Sequence, residues 1–284
     1  MHTSKPKIAF FGTPDFAVII LSELKKKGII PELIITAPDK PKGRGMKLTP
    51  PPVKVWAEEN NIEYIQPEKL DPDFLYRLKT TNYRLFIVAA YGKILKKEIL
   101  KIPRHGTLNV HPSLLPKFRG PSPIEGAILR GEKETGVTIM LLDEEMDHGG
   151  IIKNEKLKIK SDIKAPELEK ELARMGGKLL AEIIPQWLEG KIKAHEQDHT
   201  QATYTKKITK EDGLIDPAGD GETNWRKFRA FYGWPGTYFF TKKKGKKIRV
   251  IVKDASFEKG EFIIHRVLPE GGHELDYEIF KKVI

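Results

Sequence analysis

No cysteine occurs among the 284 residues. That absence excludes disulfides, thiolate nucleophiles and cysteine-ligated zinc, and it leaves any metal to histidine and carboxylate side chains. No apolar run is long enough to cross a bilayer, and a hydrophobic content of 39% is ordinary for a globular chain. Residues Met1 to Lys7 lead straight into Ile8-Ala9-Phe10-Phe11. They lack the apolar stretch of about 7–15 residues that a secretory signal requires, so a cytoplasmic location is expected. Acidic residues are the scarcer charge, 39 against 50 Lys and Arg, which leaves a formal net charge of +11. Such an excess points to a polyanionic partner, nucleic acid foremost, although a generally lysine-rich composition gives the same number. Glycines are missing where a dinucleotide loop needs them. Gly12-Thr13-Pro14 follows an apolar run but lacks the second and third glycines of that fingerprint, so NAD is rejected. There is no internal repeat, and the one low-complexity tract is Lys242 to Lys247.

What is present alternates strand-like and helical segments. Ile8 to Gly12 reads as a buried strand, Phe16 to Lys27 as an amphipathic helix closing at Gly28, and Ile30 to Thr36 as a second strand. Tyr64-Ile65, Arg84 to Ala90, Leu108 to His111 and Val137 to Leu142 continue the series. Continuous apolar runs such as Phe86 to Ala90 suit central parallel strands, so the fold class is α/β with a doubly wound, Rossmann-like sheet. A hairpin-like piece, Ile151 to Ile159, precedes a helix from Ala165 to Leu188 with Leu168, Leu172, Met175, Leu179, Leu180 and Ile183 at helical spacing. The composition changes at Tyr204. Residues 204–213 are linker-like, followed by a short helix around Trp225 to Phe231 and strands at Thr237 to Phe240, Ile248 to Val252 and Phe262 to Val267. The expected boundaries are therefore a catalytic domain over residues 1–203 and a smaller β-rich domain over 204–284. Residues 206–253 hold 13 Lys or Arg against 5 Asp or Glu, a local charge of +8. Within that stretch the Lys242 to Lys247 run reads equally as a solvated hairpin tip or as a contact for RNA phosphates.

The chemistry-bearing residues cluster at the end of one strand. Side chains alternate faces along a strand, so Asn109 and His111 point the same way while Val110 points to the other, and Pro112 ends the ladder. Asp147 follows in a glycine-rich loop. When an amine attacks a carbonyl carbon, negative charge collects on the oxygen, and donors aimed at that oxygen are worth roughly 3–4 kcal/mol each. The Asn109 amide and a protonated His111 are such donors. Asp147 beside the imidazole favours its charged form and can help carry the proton from nucleophile to leaving nitrogen. The set suits acyl transfer between amines by direct attack through a tetrahedral intermediate. His148 adjoins Asp147 and suggests a metal pair with His111, but a third good ligand is lacking, so no metal is expected.

The run from Asn109 to Ile124, with Asp147 in Met146-Asp147-His148-Gly149-Gly150, resembles the folate-dependent formyltransferases. The resemblance spans residues 7 to about 240. It implies that Asn109, His111 and Asp147 form the active site and that the donor is 10-formyltetrahydrofolate. It further implies that Ser113, Leu114, Leu115 and Pro116 line the donor site, with Phe86, Ile87, Val88, Ala89, Ala90, Tyr91 and Gly92 approaching the pterin mainly through backbone groups. Bound metal plays no part in this family.

Three further stretches are similar to the branch of that family acting on charged initiator tRNA: Phe11 to Ala17, the basic glycine loop Pro38 to Leu48, and Ala202 to Ile208. The implied acceptor is the α-amino group of initiator methionyl-tRNA, with Lys42, Arg44 and Lys47 at its acceptor end and Lys206 and Lys207 leading into the second domain. A Gly-rich loop carrying Arg also reads physically as a flexible phosphate clamp. A monomer is expected. Other readings of the same core are a hydrolase of 10-formyltetrahydrofolate, or transfer to a small amine such as an amino sugar nucleotide or glycinamide ribonucleotide. After Phe240 the resemblance thins: only 44 residues follow, and the OB-like β-barrel that ends the family is expected in shortened form, with one or two strands missing between Lys253 and Glu261.

Overall fold

The structure is a computed structural model that describes residues 6–43, 45–243 and 245–284. In chain order its first elements are β1 (Ile8–Gly12), α1 (Asp15–Lys26), β2 (Leu33–Ile35), β3 (Lys40–Lys42), β4 (Lys47–Thr49), α2 (Pro52–Glu59), β5 (Glu63–Ile65), α3 (Pro72–Lys79), β6 (Leu85–Ala89), α4 (Lys97–Leu100) and β7 (Thr107–His111). There follow α5 (Pro123–Leu129), β8 (Glu134–Leu141), β9 (Ile151–Lys158), α6 (Ala165–Leu188), α7 (Gly221–Ala230), β10 (Tyr238–Lys243), β11 (Lys246–Glu258), β12 (Glu261–Pro269), β13 (Leu275–Asp276) and α8 (Tyr277–Lys282). The chain divides into two compact units. One comprises residues 1–119, 136–157 and 169–204; the other comprises 120–135, 158–168 and 205–284.

The first unit holds a seven-stranded sheet in the order β5-β2-β1-β6-β7-β8-β9. Strands β5, β2, β1, β6 and β7 are parallel, as the apolar runs imply. Strand β8 is a correction to that reading: it runs antiparallel to β7, with His111 opposite Thr138 and Leu108 opposite Leu141. The reason is topological. Strand β8 begins beside the end of β7 rather than beside its start, so no crossover intervenes. The winding reverses between β1 and β6, the position at which open α/β sheets bind ligands beyond the strand ends.

Local sequence explains the helices that flank this sheet. Helix α1 buries Phe16, Ala17, Ile20, Leu21 and Leu24 on one face, with Asp15 in its first turn and Lys25 and Lys26 in its last, each complementing the helix dipole. It stops at Gly28, whose φ of 74° lets Gly28 N–H bond Lys25 O and Ile29 N–H bond Leu24 O. Helix α6 carries Gly176 and Gly177 in its interior, where each costs helix stability of roughly 0.5–1 kcal/mol relative to Ala. Close packing offsets that cost. A Cβ at Gly176 would lie 2.6 Å from Val110 Cγ1 and 3.1 Å from Val137 Cγ1.

The second unit holds the small C-terminal sheet expected over residues 204–284 and takes in residues 120–135 and 158–168 as well. Its sheet is a four-stranded antiparallel meander, β10-β11-β12-β13, and among the described residues no pairing joins β13 to β10. The segment after Lys253 continues β11 to Glu258 and turns at Lys259 and Gly260, both at positive φ, so that Glu258 faces Glu261. Phe228, Phe239, Val250, Val252, Ile264, Val267 and Phe280 form its core. Asp220 caps α7 by accepting from Thr223 N–H at 2.7 Å.

The glycine contact yields a stability prediction. Gly176→Val, which overpacks the seam between α6 and the sheet, lowers unfolding free energy by about 1–3 kcal/mol in urea titrations. An unchanged midpoint and slope would show that the helix has room to spare.

Candidate active site

Asn109 and His111 share one face of β7 and are both buried, at 9% and 4% exposure. Two acceptors flank the imidazole. Its Nε2 lies 3.0 Å from the Phe118 carbonyl oxygen, and its Nδ1 lies 3.5 Å from Asp147 Oδ1. The first distance is a good hydrogen bond; the second is longer than one, so Asp147 acts there as a close carboxylate rather than as a tight acceptor. Asp147 has φ of 51°, a left-handed backbone that aims its carboxylate from the loop between β8 and β9. The Asn109 amide makes no hydrogen bond among the described residues, so its donors remain available to a ligand.

The segment after β7 is pinned by two hydroxyls. Thr138 Oγ1 donates to Ser113 O at 2.7 Å and accepts from Leu115 N–H at 3.1 Å, while Ser113 Oγ donates to Lys117 O at 2.7 Å. Ser113 and Leu115 are thereby buried anchors, and only Leu114 and Pro116 of this expected donor-lining set are partly exposed. The β6 stretch divides in the same way. Phe86, Ile87 and Val88 are core residues paired on both sides, with β1 and β7, so neither their side chains nor their ladder groups face a ligand. Ala89 is buried and ends the strand opposite Gly12. Ala90 and Gly92, both at positive φ, are exposed beyond it, and Tyr91 between them is buried against Phe11 with ring centroids 5.4 Å apart. Thr13 Oγ1 donates to Tyr91 O at 3.2 Å, joining the ends of β1 and β6 at the reversal point.

The basic loop is a two-stranded hairpin. Strands β3 and β4 place Lys42 directly opposite Lys47, both exposed; Arg44 lies outside the described residues. Met46 and Leu48 on the same hairpin are 69% and 63% exposed. Lys207 is exposed, whereas Lys206 donates to Asp212 at 2.7 Å and spends part of its charge internally. His148 turns away from His111: its Nδ1 lies 2.6 Å from Asp143 Oδ2, and its ring stacks on His199. Among the described residues no group of three or more His, Asp or Glu side chains is placed to hold a metal. No described helix is long and apolar enough to cross a membrane.

Sequence reasoning missed Thr138, the Phe118 carbonyl, and the buried Arg119 and Gln197 with the more exposed His199, adjoining the Asp147 loop. Arg119 stood in the quoted run, but its partners lie about eighty positions away, at separations of 78 and 80 residues. No short-range pattern reveals such a pairing.

The sequence profile described as formyl transferase matches residues 6–184, and that of the formyl transferase C-terminal domain matches residues 207–266. A methionyl-tRNA formyltransferase of Chloroflexus aurantiacus is 42% identical over 267 residues, covering 94% of this chain and 86% of that protein. One of Thermotoga neapolitana is 42% identical over 268 residues, covering 93% and 85%. The solved methionyl-tRNA formyltransferase from Clostridium thermocellum shares the fold with a TM-score of 0.61 at 20% identity, over 93% of this chain and 98% of that one. A sugar 3N-formyl transferase solved in the presence of dTDP and 5-N-formyl-THF does so with a TM-score of 0.62 at 22% identity, over 92% and 94%.

Burial pushes the Tyr91 phenol up to about 12, and its hydroxyl has no hydrogen-bond partner among the described residues. Above pH 10 the unfolded chain releases this proton while the folded chain keeps it, so Tyr91 subtracts stability progressively between about pH 10 and 12. Tyr91→Phe removes that alkaline loss. Denaturation midpoints of the two proteins converge at neutral pH and separate above pH 10; parallel curves throughout would contradict the buried phenol.

Proposed function

The chain belongs to the formyl transferase family, and from that premise we propose that it transfers the formyl group of 10-formyltetrahydrofolate to the α-amino group of initiator methionyl-tRNA. The observation that carries this reading is the Asn109 amide, without a partner among the described residues, beside an imidazole flanked by Asp147 and the Phe118 carbonyl. Asn109 donates to the formyl oxygen as the amine adds to the formyl carbon and negative charge collects there. His111, carrying a proton, adds a second positive pole to the same region. Asp147 stabilises that imidazolium and takes part in moving one proton from the attacking nitrogen toward the folate nitrogen that departs, so the C–N bond formed and the C–N bond broken balance. In this reading the donor lies against the exposed Ala90 and Gly92 and the part-exposed Leu114 and Pro116.

The acceptor is argued from charge. Like charges facing each other across a ribbon are destabilising by themselves, so the Lys42 and Lys47 pair is suited to an anion that neutralises both. With Arg44 these lysines hold the acceptor end of the tRNA, and Lys207 and the half-spent Lys206, within residues 204–284, supply further cations for the nucleic acid. Strands β10 and β11 repeat the arrangement, with Lys242 opposite Lys247 and Lys243 opposite Lys246. In this reading residues 1–203 perform the chemistry and 204–284 hold the nucleic acid, in a monomer acting in the cytoplasm. Hydrolysis of the donor, or transfer to a small amine, leaves both basic ribbons without an occupant.

Purified protein given 10-formyltetrahydrofolate and separately charged initiator and elongator methionyl-tRNA tests the whole reading, which requires formylation of the initiator form. Asn109→Ala and His111→Ala each lower kcat by at least ~10²-fold with donor binding preserved, because both act on charge that appears only in the transition state. Retention of more than about a third of wild-type kcat in either variant sinks the assignment. Alanine at Lys42 and Lys47 flattens the dependence of log kcat/KM on log salt by about 1 per lysine and leaves donor affinity unchanged. An unaltered salt slope makes the hairpin ordinary surface.

A further inference from the structure

Arg119 is 2% exposed, although it carries a permanent charge, and Gln197 beside it is 4% exposed. A guanidinium is taken out of water only where its donors are met, and here they are met by one short segment. Arg119 Nε and Nη2 donate to Gln197 Oε1 at 3.2 and 2.7 Å, and Nη2 lies 2.8 Å from His199 Nδ1. Nη1 lies 3.4 Å from the Tyr204 hydroxyl. Because guanidinium only donates, His199 Nδ1 is the acceptor and Gln197 is fixed with its oxygen toward the arginine.

That orientation sends the Gln197 amide N–H groups the other way. They donate to Asp147 O at 2.9 Å and to Gly149 O at 2.7 Å, the two carbonyls on either side of His148. The ring of His148 in turn lies parallel to His199, with centroids 4.1 Å apart and planes 2° apart. The 147–149 loop is therefore gripped twice, through its backbone by Gln197 and through a side chain by His199, and both grips are referred to Arg119. The preceding residue, Phe118, supplies the carbonyl that meets His111 Nε2, and Arg119 N–H itself bonds Thr203 O at 2.8 Å. Both acceptors of His111 thus hang from one dipeptide, Phe118 directly and Asp147 through Arg119, Gln197 and His199.

We propose that Arg119, Gln197 and His199 are positioning residues that hold Asp147 and the Phe118 carbonyl on opposite sides of His111 and so set the orientation of its ring. The assignment rests on the proposed role of His111 in formyl transfer, but its geometry is measurable without turnover. Asp147 sits in a left-handed conformation that a non-glycine residue adopts at a cost, and the two Gln197 bonds bracket the strained backbone. Loss of the grip releases the carboxylate, and a displacement of about 1 Å near reacting atoms costs on the order of 10²-fold in rate.

Gln197→Glu is the decisive variant. The carboxylate still accepts from Arg119, so the buried charge keeps its partner, but it offers no donor to Asp147 O or Gly149 O. Expected are a fall in kcat of about 10- to 100-fold with KM for the donor within about threefold, and displaced His111 ring nitrogen signals in NMR spectra of the full chain. His199→Ala, at a half-exposed position that tolerates truncation, keeps the assignment testable if the first variant does not fold; it moves the same ring signals in the same direction and lowers kcat less. Unmoved ring signals with kcat within about twofold of wild type, in whichever variant folds, overturn the assignment. A wild-type protein without formyl transfer refutes the proposed reaction instead, and the ring signals still decide whether these residues position His111.

Discussion

Because His111 faces the Phe118 oxygen at 3.0 Å and the Asp147 carboxylate at 3.5 Å from its two ring nitrogens, its orientation is set by two loops rather than by the strand that carries it. A buried imidazole has no water to fall back on, so each nitrogen needs a stated partner. The Thr138 hydroxyl pins the segment leading to Phe118, and Gln197 bonds the backbone at Asp147. The architecture around β7 is in this sense a set of supports for one ring. Asn109, two residues earlier, needs none of them, since the strand period alone places it on the same face.

That contrast explains what was legible in the sequence. Asn109 and His111 could be paired because the period of two acts over three residues, and α6 could be bounded at Ala165 and Leu188 because apolar positions recur over many turns. The direction of β8 could not be read, since an apolar run is the same in either orientation. The β2 segment shortened to Leu33–Ile35 because Ile30 is 49% exposed and Pro31 brings no N–H to a ladder. The β6 stretch was legible as a buried strand, and that same burial is what withdraws Phe86, Ile87 and Val88 from a ligand. Gln197 and His199 remained invisible, because a polar residue buried by a partner nearly eighty positions away looks in sequence like any loop residue.

Charge is distributed in two different ways on this chain. Lys206 with Asp212 and Lys153 with Glu182 are neutralised at 2.7 Å, so they contribute little to any outward field. Lys42 and Lys47 on β3–β4, and Lys242, Lys243, Lys246 and Lys247 on β10–β11, instead face lysines across their ribbons. Lys247 and Arg249 there lie over the rings of Phe240 and Tyr238, at 4.2 and 3.8 Å, an arrangement that holds cations in place without cancelling them. The net charge of +11 thus understates how unevenly positive potential is spread.

The glycine seam of α6 touches the sheet at Val110, the residue between Asn109 and His111, from the opposite face of the strand. Where a side chain is interposed between helix and strand, their separation can breathe as that side chain changes rotamer. At Gly176 nothing is interposed, and the spacing is set by helix backbone against a branched methyl. The strand bearing both polar groups accordingly rests on a stiff backing, and compression or warming of the molecule must be taken up in the loops in front of it.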